Sequence, residues 1–241
     1  MVIYGINPVL EALRADRVTA VRVSSRADER VAAAVRLAEE RGVSVRRVQP
    51  AELERATRGA AHQGIVADLE AAAPTSVEDL VLQAKAAPLI VVLDGIEDPQ
   101  NVGAILRTVD AAGADGLVRQ SRRAAPLGGV AAKVSAGAVA HVRIAEVVNI
   151  ARALETLKDA GVWAVGLAAD ASKSLYDIDF TLPTALVLGS EGAGLRRLVR
   201  ERCDWLVSIP MHGHVQSVNV SVAAGVALFE AIRQRSFPRV Q

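Results

Sequence analysis

The spacing of apolar residues changes along the chain and divides it into two parts. Up to about residue 70 the apolar positions form short groups that are separated by charged stretches. Their periods predict helices near 7–13, 26–41 and 50–59, and strands near 18–23, 43–48 and from 62 onward. We therefore expect a small α/β unit in this part of the chain.

Longer uninterrupted apolar runs appear beyond residue 86. They predict buried strands at Leu89–Leu93, Gly116–Val118, Trp163–Leu167 and Ala185–Leu188. Helical patterns are found near 76–86, 99–112, 146–160 and 194–202. Continuous apolar strands that alternate with helices are typical of a mostly parallel sheet with helices on both faces. The fold class is therefore α/β.

A short stretch between these two parts has the composition of a linker. Residues 70–76 read EAAAPTS, with small residues and a proline before a Ser-Val-Glu-Asp helix start. We accordingly predict a small domain at 1–70, a linker and connecting helix at 71–86, and a larger domain at 87–241.

The segment from Ile209 to Arg235 combines a polar loop with a C-terminal helix. Residues 216, 217, 219 and 221 are polar and stand where side chains can accept hydrogen bonds from the first-turn amides. The helix carries an apolar stripe that we expect to face the core, formed by Val222, Val226, Phe229 and Ile232. On its own, this pattern is as typical of a capped helix packed on a core as of a ligand site.

Composition and charge exclude several classes of protein. Lys and Arg number 28 against 27 Asp and Glu, so the overall charge does not indicate a nucleic-acid partner. Aromatic residues make up 3%, which argues against base-stacking platforms as the main mode of RNA binding. No apolar run approaches the roughly 20 residues of a membrane span, and no signal pattern opens the sequence. We expect a cytoplasmic protein without a membrane partner.

Cysteine and histidine give no sign of a metal site. Cys203 is the single cysteine, which excludes an internal disulfide and a cysteine cluster, and we interpret it as a core residue. His212 and His214 lack a nearby acid or cysteine, so no metal is predicted.

The first candidate site follows the strand at 89–93. Asp98 fits a helix N-cap and Pro99 the first helical position, which places Asn101 in the first turn. Arg107 lies six residues later, roughly 9 Å along the helix axis. Gly103 and Ala111, one turn away on either side, are small and should leave room for a partner of this guanidinium. A solvent-facing arginine on an ordinary helix is the alternative.

A glycine-rich loop follows the strand at 185–188. Residues 189–194 read GSEGAG, and such a loop lets a ligand approach the backbone closely. The loop matches neither a Walker motif nor a dinucleotide fingerprint, so a tight turn is the alternative. Glu191 would repel a phosphate but can hold an arginine.

A basic cluster comes after the strand at 116–118. It consists of Arg119, Arg122, Arg123 and Lys133. These residues form either a solvated face or a grip for an RNA backbone.

Three segments taken together resemble the SpoU (TrmH-type) family of SPOUT methyltransferases. They are DGIEDPQNVGAILRT at 94–108, LVLGSEGAGLRR at 186–197 and SIPMHGHVQSVNVSVAAGVALFE at 208–230. The pieces YGINPVLEAL at 4–13 and AHQGIVA at 61–67 are similar to the ribosomal-protein-like substrate domain of many members. In layout the chain is most similar to the bacterial enzymes that 2′-O-methylate a guanosine in 23S rRNA.

This resemblance implies a fold, a cofactor and an assembly. The C-terminal domain of the family contains a trefoil knot, one of the rare exceptions to unknotted topology. Its members bind S-adenosylmethionine in the knot and work as homodimers with the site at the interface. The matching cofactor-binding positions are Gly189, Ile209 and Val218, together with Leu188, Met211 and Gly192.

The resemblance also implies a catalytic set, which comprises Arg107, Asn101, Glu191, Ser217 and Asn219. The family proposal gives Arg107 a direct part in activating the ribose hydroxyl. A guanidinium is a poor base because it stays protonated. We therefore expect Arg107 to anchor the RNA phosphate and stabilise the developing alkoxide. Glu191 would orient Arg107, while the remaining members of the set would place ribose and cofactor.

Three other functions stay open at this point. The same chemistry on tRNA is the first, although tRNA enzymes of the family usually lack the separate N-terminal domain. A non-catalytic RNA-binding or assembly protein that retains the knot is the second, and the intact catalytic set argues against it. A nucleotide-dependent oxidoreductase is the third, and the chain lacks the corresponding fingerprint.

Overall fold

The computed structural model describes residues 1–25, 29–70 and 73–236, and these residues form two compact units. The first comprises Met1–Ala73, Val102–Arg107 and Pro126–His141, and the second comprises Pro74–Asn101, Thr108–Ala125 and Val142–Gln241. The predicted helix start at residues 26–28 and linker positions 71 and 72 lie outside the described residues.

The helices and strands are as follows. Up to residue 70 they are β1 (Val2–Tyr4), α1 (Ile6–Arg14), β2 (Val18–Ser24), α2 (Glu29–Glu40), β3 (Ser44–Val48), α3 (Pro50–Thr57) and β4 (Ile65–Leu69). Beyond it they are α4 (Val77–Leu82), β5 (Leu89–Asp94), α5 (Pro99–Ala111), β6 (Gly116–Gln120), α6 (Val130–Val134), β7 (Ile144–Val147), α7 (Ile150–Asp159), β8 (Trp163–Leu167), β9 (Lys173–Ser174), β10 (Thr184–Gly189), α8 (Arg197–Arg202), β11 (Trp205–Ser208) and α9 (Val220–Ser236).

The first unit is built on a four-stranded sheet in the order β1-β4-β2-β3. Strand β4 is antiparallel to β1 and β2, and β2 is parallel to β3. Ile3, Val21, Leu53 and Ile65 are fully buried in its core. The three predicted helices and three predicted strands are confirmed within the described residues, whereas β1 was not predicted because three residues are too few to show a period.

The second unit is built on a seven-stranded sheet in the order β7-β6-β5-β10-β8-β11-β9. Every pair of neighbouring strands in it is parallel. Helices α4, α7 and α8 contribute to a buried apolar cluster on one face of this sheet. The predicted parallel α/β sheet and its four central strands are confirmed, and the short strands β7, β9 and β11 were not predicted.

The start of one helix was predicted wrongly. The helical pattern was placed from residue 146, but Glu146 and Val147 pair with β6 as the end of β7. Helix α7 begins only at Ile150, where the side chain of Asn149 accepts a hydrogen bond from Arg152 N at 3.2 Å. Because Ile144–Val147 is short and flanks a strongly amphipathic segment, its apolar residues merged with the helical pattern.

The buried face of α9 also differs from the prediction. Val222 and Phe229 were expected in the core, yet they are 52% and 53% exposed. The buried face carries Ala224, Ala227 and Leu228 instead, and α9 packs against β10. The helix is apolar on both sides. The helical spacing of its apolar residues therefore does not show which of the two faces packs against the sheet. Alanine on the inner face lets the helix approach the sheet closely.

The helices in the described part of the chain give no indication of a membrane span. None of them combines the length and the apolar character that a transmembrane span requires.

Candidate functional site

Parallel pairing brings the two glycine-containing segments to one edge of the sheet. Strands β5 and β10 are neighbours, and their last residues, Asp94 and Gly189, are paired in register. The segments that follow them therefore leave the sheet side by side. Ligand sites of open parallel sheets lie outside the carboxyl ends of the strands.

The loop after β10 folds back tightly over its first residue. A Cβ at Gly189 would lie 2.2 Å from the carbonyl carbon of Gly194 and 2.4 Å from Leu195 N. Ser190 N donates to Gly194 O at 3.1 Å, and Gly194 N donates to Ser190 O at 2.9 Å. Only glycine leaves space for this fold-back, which turns Glu191 outward at the edge of the sheet.

Two amides and one carboxylate from three distant segments meet at this edge. The Nδ2 group of Asn219 donates to Glu191 Oε1 at 2.6 Å and to Asn101 Oδ1 at 2.9 Å. Asn101 Nδ2 donates to the same Glu191 oxygen at 3.2 Å. The structure thus joins three members of the predicted catalytic set in one hydrogen-bonded cluster.

Helix starts hold both amides of this cluster in place. Asp98 accepts a hydrogen bond from Gln100 N at 2.9 Å as the N-cap of α5, so Asn101 stands in the first turn as predicted. Asn219 precedes α9, and its Oδ1 accepts from Ser221 N at 2.9 Å. The same side chain therefore caps a helix and donates to Glu191.

A cavity of about 450 Å³ opens beside the cluster. Its walls come from the ends of β8, β10 and β11, the glycine-rich loop and the loop that precedes α9. All six predicted cofactor positions line it, namely Leu188, Gly189, Gly192, Ile209, Met211 and Val218. Glu191, Ser217 and Asn219 line it as well, whereas Asn101 is 6% exposed and stands behind Glu191.

The lining of the cavity fits S-adenosylmethionine. Its volume lies within the range of roughly 300–1,000 Å³ that is typical of small-molecule sites. No lysine or arginine is among the described residues that line it, and Glu191 is its one carboxylate. A cofactor with several phosphates would lack a counter-charge here. Apolar walls and an exposed backbone suit an adenine ring and a cationic methyl donor.

Arg107 is not among the residues that line the cavity. Its side chain is exposed on α5, two turns beyond Asn101. The room expected beside it at Gly103 is absent, because a Cβ there would lie 2.6 Å from Ala131 O. Gly103 is small so that the backbone of α6 can approach α5.

One member of the predicted basic cluster, Arg119, is buried. Arg119 is 6% exposed, and its Nη2 donates to Ala125 O at 2.6 Å. Burial lowers the pKa of Arg119, and Glu146, whose carboxylate lies 3.5 Å away, opposes that shift. An exposed face at Arg119 was therefore predicted wrongly, while Arg122 and Arg123 are exposed.

The two histidines of the 209–219 loop are exposed. His212 and His214 do not line the cavity. Across the described ranges, no group of three or more His, Cys, Asp or Glu side chains is placed to hold a metal ion.

Sequence reasoning missed a buried ion pair next to the cluster. Asp94, the last residue of β5, is fully buried and accepts from Arg196 N at 2.8 Å and from Arg196 Nε at 2.7 Å. A signal was available, because Asp94 is the one charged residue of an otherwise apolar buried strand. An aspartate in that setting is rarely buried without a partner.

Both parts of the chain match models of known protein families. The model of the "SpoU rRNA Methylase family" matches residues 88–229, and the model of "RNA 2'-O ribose methyltransferase substrate binding" matches residues 2–75. The chain is 42% identical over 238 residues to 23S rRNA (guanosine-2'-O-)-methyltransferase RlmB of Photobacterium profundum, with 97% of each chain covered.

Two solved structures extend this comparison. The SpoU methyltransferase AviRb of Streptomyces viridochromogenes in complex with AdoMet is 27% identical, with a TM-score of 0.82 and 98% of this chain and 90% of that chain covered. The A. aeolicus TrmH/SpoU tRNA modifying enzyme is 32% identical, with a TM-score of 0.57, over 66% of this chain and 82% of that chain.

These likenesses confirm the expected fold class, the S-adenosylmethionine cofactor and the RNA 2′-O-ribose methyltransferase activity. They agree with a cavity at the carboxyl edge of a parallel sheet whose described lining residues include no lysine or arginine. The chain belongs to the SpoU rRNA methylase family.

Proposed function

We propose that this protein methylates the ribose 2′-hydroxyl of a guanosine in 23S rRNA, in the cytoplasm. The observation that carries the proposal is the cavity whose rim holds Glu191 bonded to Asn101 and Asn219. The guanosine and the 23S rRNA are supported by the relative from Photobacterium profundum, which matches along nearly its full length.

The cofactor supplies a methyl group that is already activated on a sulfonium. As the new O–C bond forms, the S–C bond breaks and the hydroxyl proton is released to water. The protein has to bind the cofactor, align the 2′-oxygen with its methyl group and stabilise the charge that develops on that oxygen. In this proposal Leu188, Ile209, Met211 and Val218 provide the walls for the cofactor, while Gly189 and Gly192 expose their backbone to it.

The remaining residues act on the RNA. Arg107 anchors a phosphate and offsets the negative charge on the reacting oxygen, since a guanidinium holds its proton too firmly to serve as a base. Asn101, Ser217 and Asn219 place the ribose. Glu191 fixes the two amides and orients Arg107.

The N-terminal part supplies the RNA-binding domain in this proposal. We assign residues 1–70 to RNA binding, 71–86 to a linker with its connecting helix, and 87–241 to a catalytic domain with the trefoil knot. The family match over residues 2–75 supports the first of these assignments. The tRNA modifying enzyme from A. aeolicus matches only 66% of this chain, which favours rRNA over tRNA.

The exposed apolar face of α9 supports a homodimer. Val222 and Phe229 are more than half exposed, and Val215 and Val218 on the preceding loop are 65% and 38% exposed. Contiguous exposed apolar side chains typically mark an interaction surface. A second copy of the chain on this face would lie next to the loop that lines the cavity. We expect Phe229→Asp to shift the mass measured by light scattering from dimer to monomer.

The deciding experiment follows methyl transfer from labelled S-adenosylmethionine to total rRNA and tRNA. The wild type is compared with Arg107→Ala and with Arg152→Ala, which removes an exposed arginine from α7 in the second unit. We expect 2′-O-methylguanosine in 23S rRNA from the wild type and from Arg152→Ala. Arg107→Ala should lose the label while binding the cofactor normally.

Other results would redirect the assignment. Label in tRNA alone would replace the rRNA substrate. Cofactor binding without label in any RNA, including ribosomal precursor particles, would favour a binding or assembly protein. Equal activity of Arg107→Ala and Arg152→Ala would remove Arg107 from the catalytic set.

A further inference from the structure

The ion pair between Asp94 and Arg196 uses both oxygens of a fully buried carboxylate. Oδ2 accepts from the backbone N of Arg196 at 2.8 Å, and Oδ1 accepts from its Nε at 2.7 Å. The side chain of Asp94 has no exposed surface, whereas that of Arg196 is 53% exposed. Because this buried carboxylate accepts from the backbone N–H of Arg196 as well as from its guanidinium, it fixes the position of the main chain at Arg196 in addition to pairing with a charge.

That point, Arg196, lies two residues beyond the glycine-rich stretch at 189–194 and ends the longer 189–196 loop that contains it. Gly189, where the loop begins, is paired with Asp94 in the sheet. Arg196, where the loop ends, is bonded to the Asp94 carboxylate. Both ends of the loop are thus fixed to one residue, and hydrogen bonds between Ser190 and Gly194 close the part between them.

Glu191 depends on this closure because it rises from the middle of the loop. Its Oε1 lies 2.6 Å from Asn219 Nδ2 and 3.2 Å from Asn101 Nδ2. A shift of about 1 Å in the loop would break one or both contacts, and misplacement on that scale is costly at reacting centres. The loop backbone also forms part of the cavity wall.

We propose that Asp94 and Arg196 are positioning residues for methyl transfer: their buried pair fixes the 189–196 loop so that Glu191 meets Asn101 and Asn219 and the cavity keeps its shape. The kinetic part of this inference rests on the proposed function, whereas its binding and exchange parts do not.

Asp94→Asn tests the inference because asparagine keeps the volume but only one of the two acceptors. The amide nitrogen of the asparagine would then face an N–H of Arg196, and because both groups are donors, no hydrogen bond can form between them. Asp204→Asn is a matched control. The side chain of Asp204 is 8% exposed, and its two oxygens likewise accept from a backbone N, that of Ala164 at 2.9 Å, and from a basic side chain, Lys158 Nζ at 2.7 Å. Asp204 directly precedes β11 and bonds to the amino end of β8, whereas Asp94 stands at the carboxyl end of β5.

Two measurements need no RNA. We expect Asp94→Asn to speed hydrogen exchange of the 190–196 amides in the protein without cofactor, and to raise the cofactor Kd about tenfold, the factor that one lost charged hydrogen bond gives. Asp204→Asn should leave both unchanged while lowering Tm. The exchange rate and cofactor Kd of Arg196→Ala should lie between those of Asp94→Asn and Asp204→Asn, because this variant keeps the backbone N–H from which Asp94 accepts.

A double-mutant cycle with Glu191→Gln tests whether Asp94 acts through Glu191. On the wild-type background we expect Asp94→Asn to lower kcat about tenfold or more. On the Glu191→Gln background the further loss should be below about threefold, since coupled residues are not additive. A purely structural pair would lower Tm and leave kcat of the folded enzyme unchanged.

The inference is overturned if Asp94→Asn matches Asp204→Asn in loop exchange and cofactor Kd. It is also overturned if the losses from Asp94→Asn and Glu191→Gln multiply independently. A wild-type protein that binds cofactor but methylates no RNA would instead contradict the proposed function, and exchange and Kd would still decide on Asp94 and Arg196.

Discussion

Gly189→Ala is the substitution for which the structure gives the clearest expectation. Gly189 ends β10, and the added Cβ would lie 2.2 Å from Gly194 C, 2.4 Å from Leu195 N and 2.5 Å from Gly194 O. All three are backbone atoms, so no side chain can rotate away. Strand pairing with β5 holds Gly189 itself, and the loop must therefore move.

The size of that movement sets the size of the effect. Ordinary contacts of a Cβ begin near 3.4 Å, so the 190–195 backbone has to retreat by about 1 Å. Overpacking of this kind costs about 1–3 kcal/mol of unfolding free energy. For a chain of this length, that loss lowers Tm by roughly 2–10 °C. The same shift carries Glu191 away from its amides, and we expect kcat to fall on the order of a hundredfold.

Gly213→Ala is the matched control, since nothing lies within 4 Å of the Cβ that it adds. Calorimetry gives the cofactor Kd, thermal melting gives Tm, and methyl transfer gives kcat. We expect Gly213→Ala to equal the wild type and Gly189→Ala to bind the cofactor at least tenfold more weakly. A Gly189→Ala protein with a Kd within a factor of two of the wild type would show that the loop absorbs the Cβ without consequence.

Three further expectations concern stability and reactivity. Arg235→Ala should lower the unfolding free energy by about 2 kcal/mol in chemical denaturation. The reason is that the guanidinium donates to four backbone oxygens, two of them Ala87 O at 2.6 Å and Phe180 O at 2.8 Å. Arg235→Lys should recover part of the lost stability. Gly103→Ala should cost about 1–3 kcal/mol in the same assay, since its Cβ meets backbone. Burial, assisted by neighbouring carboxylates, raises the pKa of the Cys203 thiol to about 12; native protein should therefore react slowly with a thiol reagent at pH 8 and rapidly once unfolded, and rapid native labelling would contradict that burial.

The raised pKa of Cys203 also gives stability a pH dependence with a definite sign. Between about pH 9, where the unfolded thiol ionises, and pH 12, the unfolded state binds fewer protons than the folded state. Unfolding free energy then falls as pH rises, by at most about 1.4 kcal/mol per unit. Alkaline denaturation of Cys203→Ala should show a shallower decline than the wild type, and parallel curves would refute this contribution.

The strands of the larger sheet were predictable because parallel strands are covered on both faces. Leu89–Asp94 and Thr184–Gly189 are buried throughout, so each appears in the sequence as an uninterrupted apolar run. The edge strand Lys173–Ser174 spans only two residues and carries no such signal. Length and burial, more than chain position, decided which strands the sequence revealed.

Helix α9 shows where periodicity stops being informative. Its outer face carries Val222 and Phe229, and its inner face carries Ala224 and Leu228. Both faces carry apolar side chains at helical spacing, so the spacing alone selected the wrong face. The choice between two apolar faces depends on the shape of the sheet beneath the helix, which the local sequence does not encode.

For the site, residue positions were predictable and their contacts were not. The motifs indicated Asn101, Glu191 and Asn219 one by one, and Glu191 was expected to orient Arg107. In the structure, Glu191 Oε1 accepts from the two amides. Its orientation of Arg107 stays a prediction. Pairing between side chains 90 and 118 residues apart follows from strand order, and nothing in either local segment specifies it.

Strand order also explains why the site forms as a whole. Asn101 follows β5, Glu191 follows β10 and Asn219 follows β11, and β5 and β10 are neighbours while β8 separates β10 from β11. The three side chains come together only when these four strands are paired and α9 is capped by Asn219. Because Asn219 serves both the cap and the cluster, the start of α9 and the candidate site depend on one side chain. Asn219→Ser tests this: serine can cap α9 but is too short to reach Glu191, so we expect Tm to stay near that of the wild type while kcat falls. A parallel loss of Tm would show that the cluster stabilises the fold as much as it prepares the site.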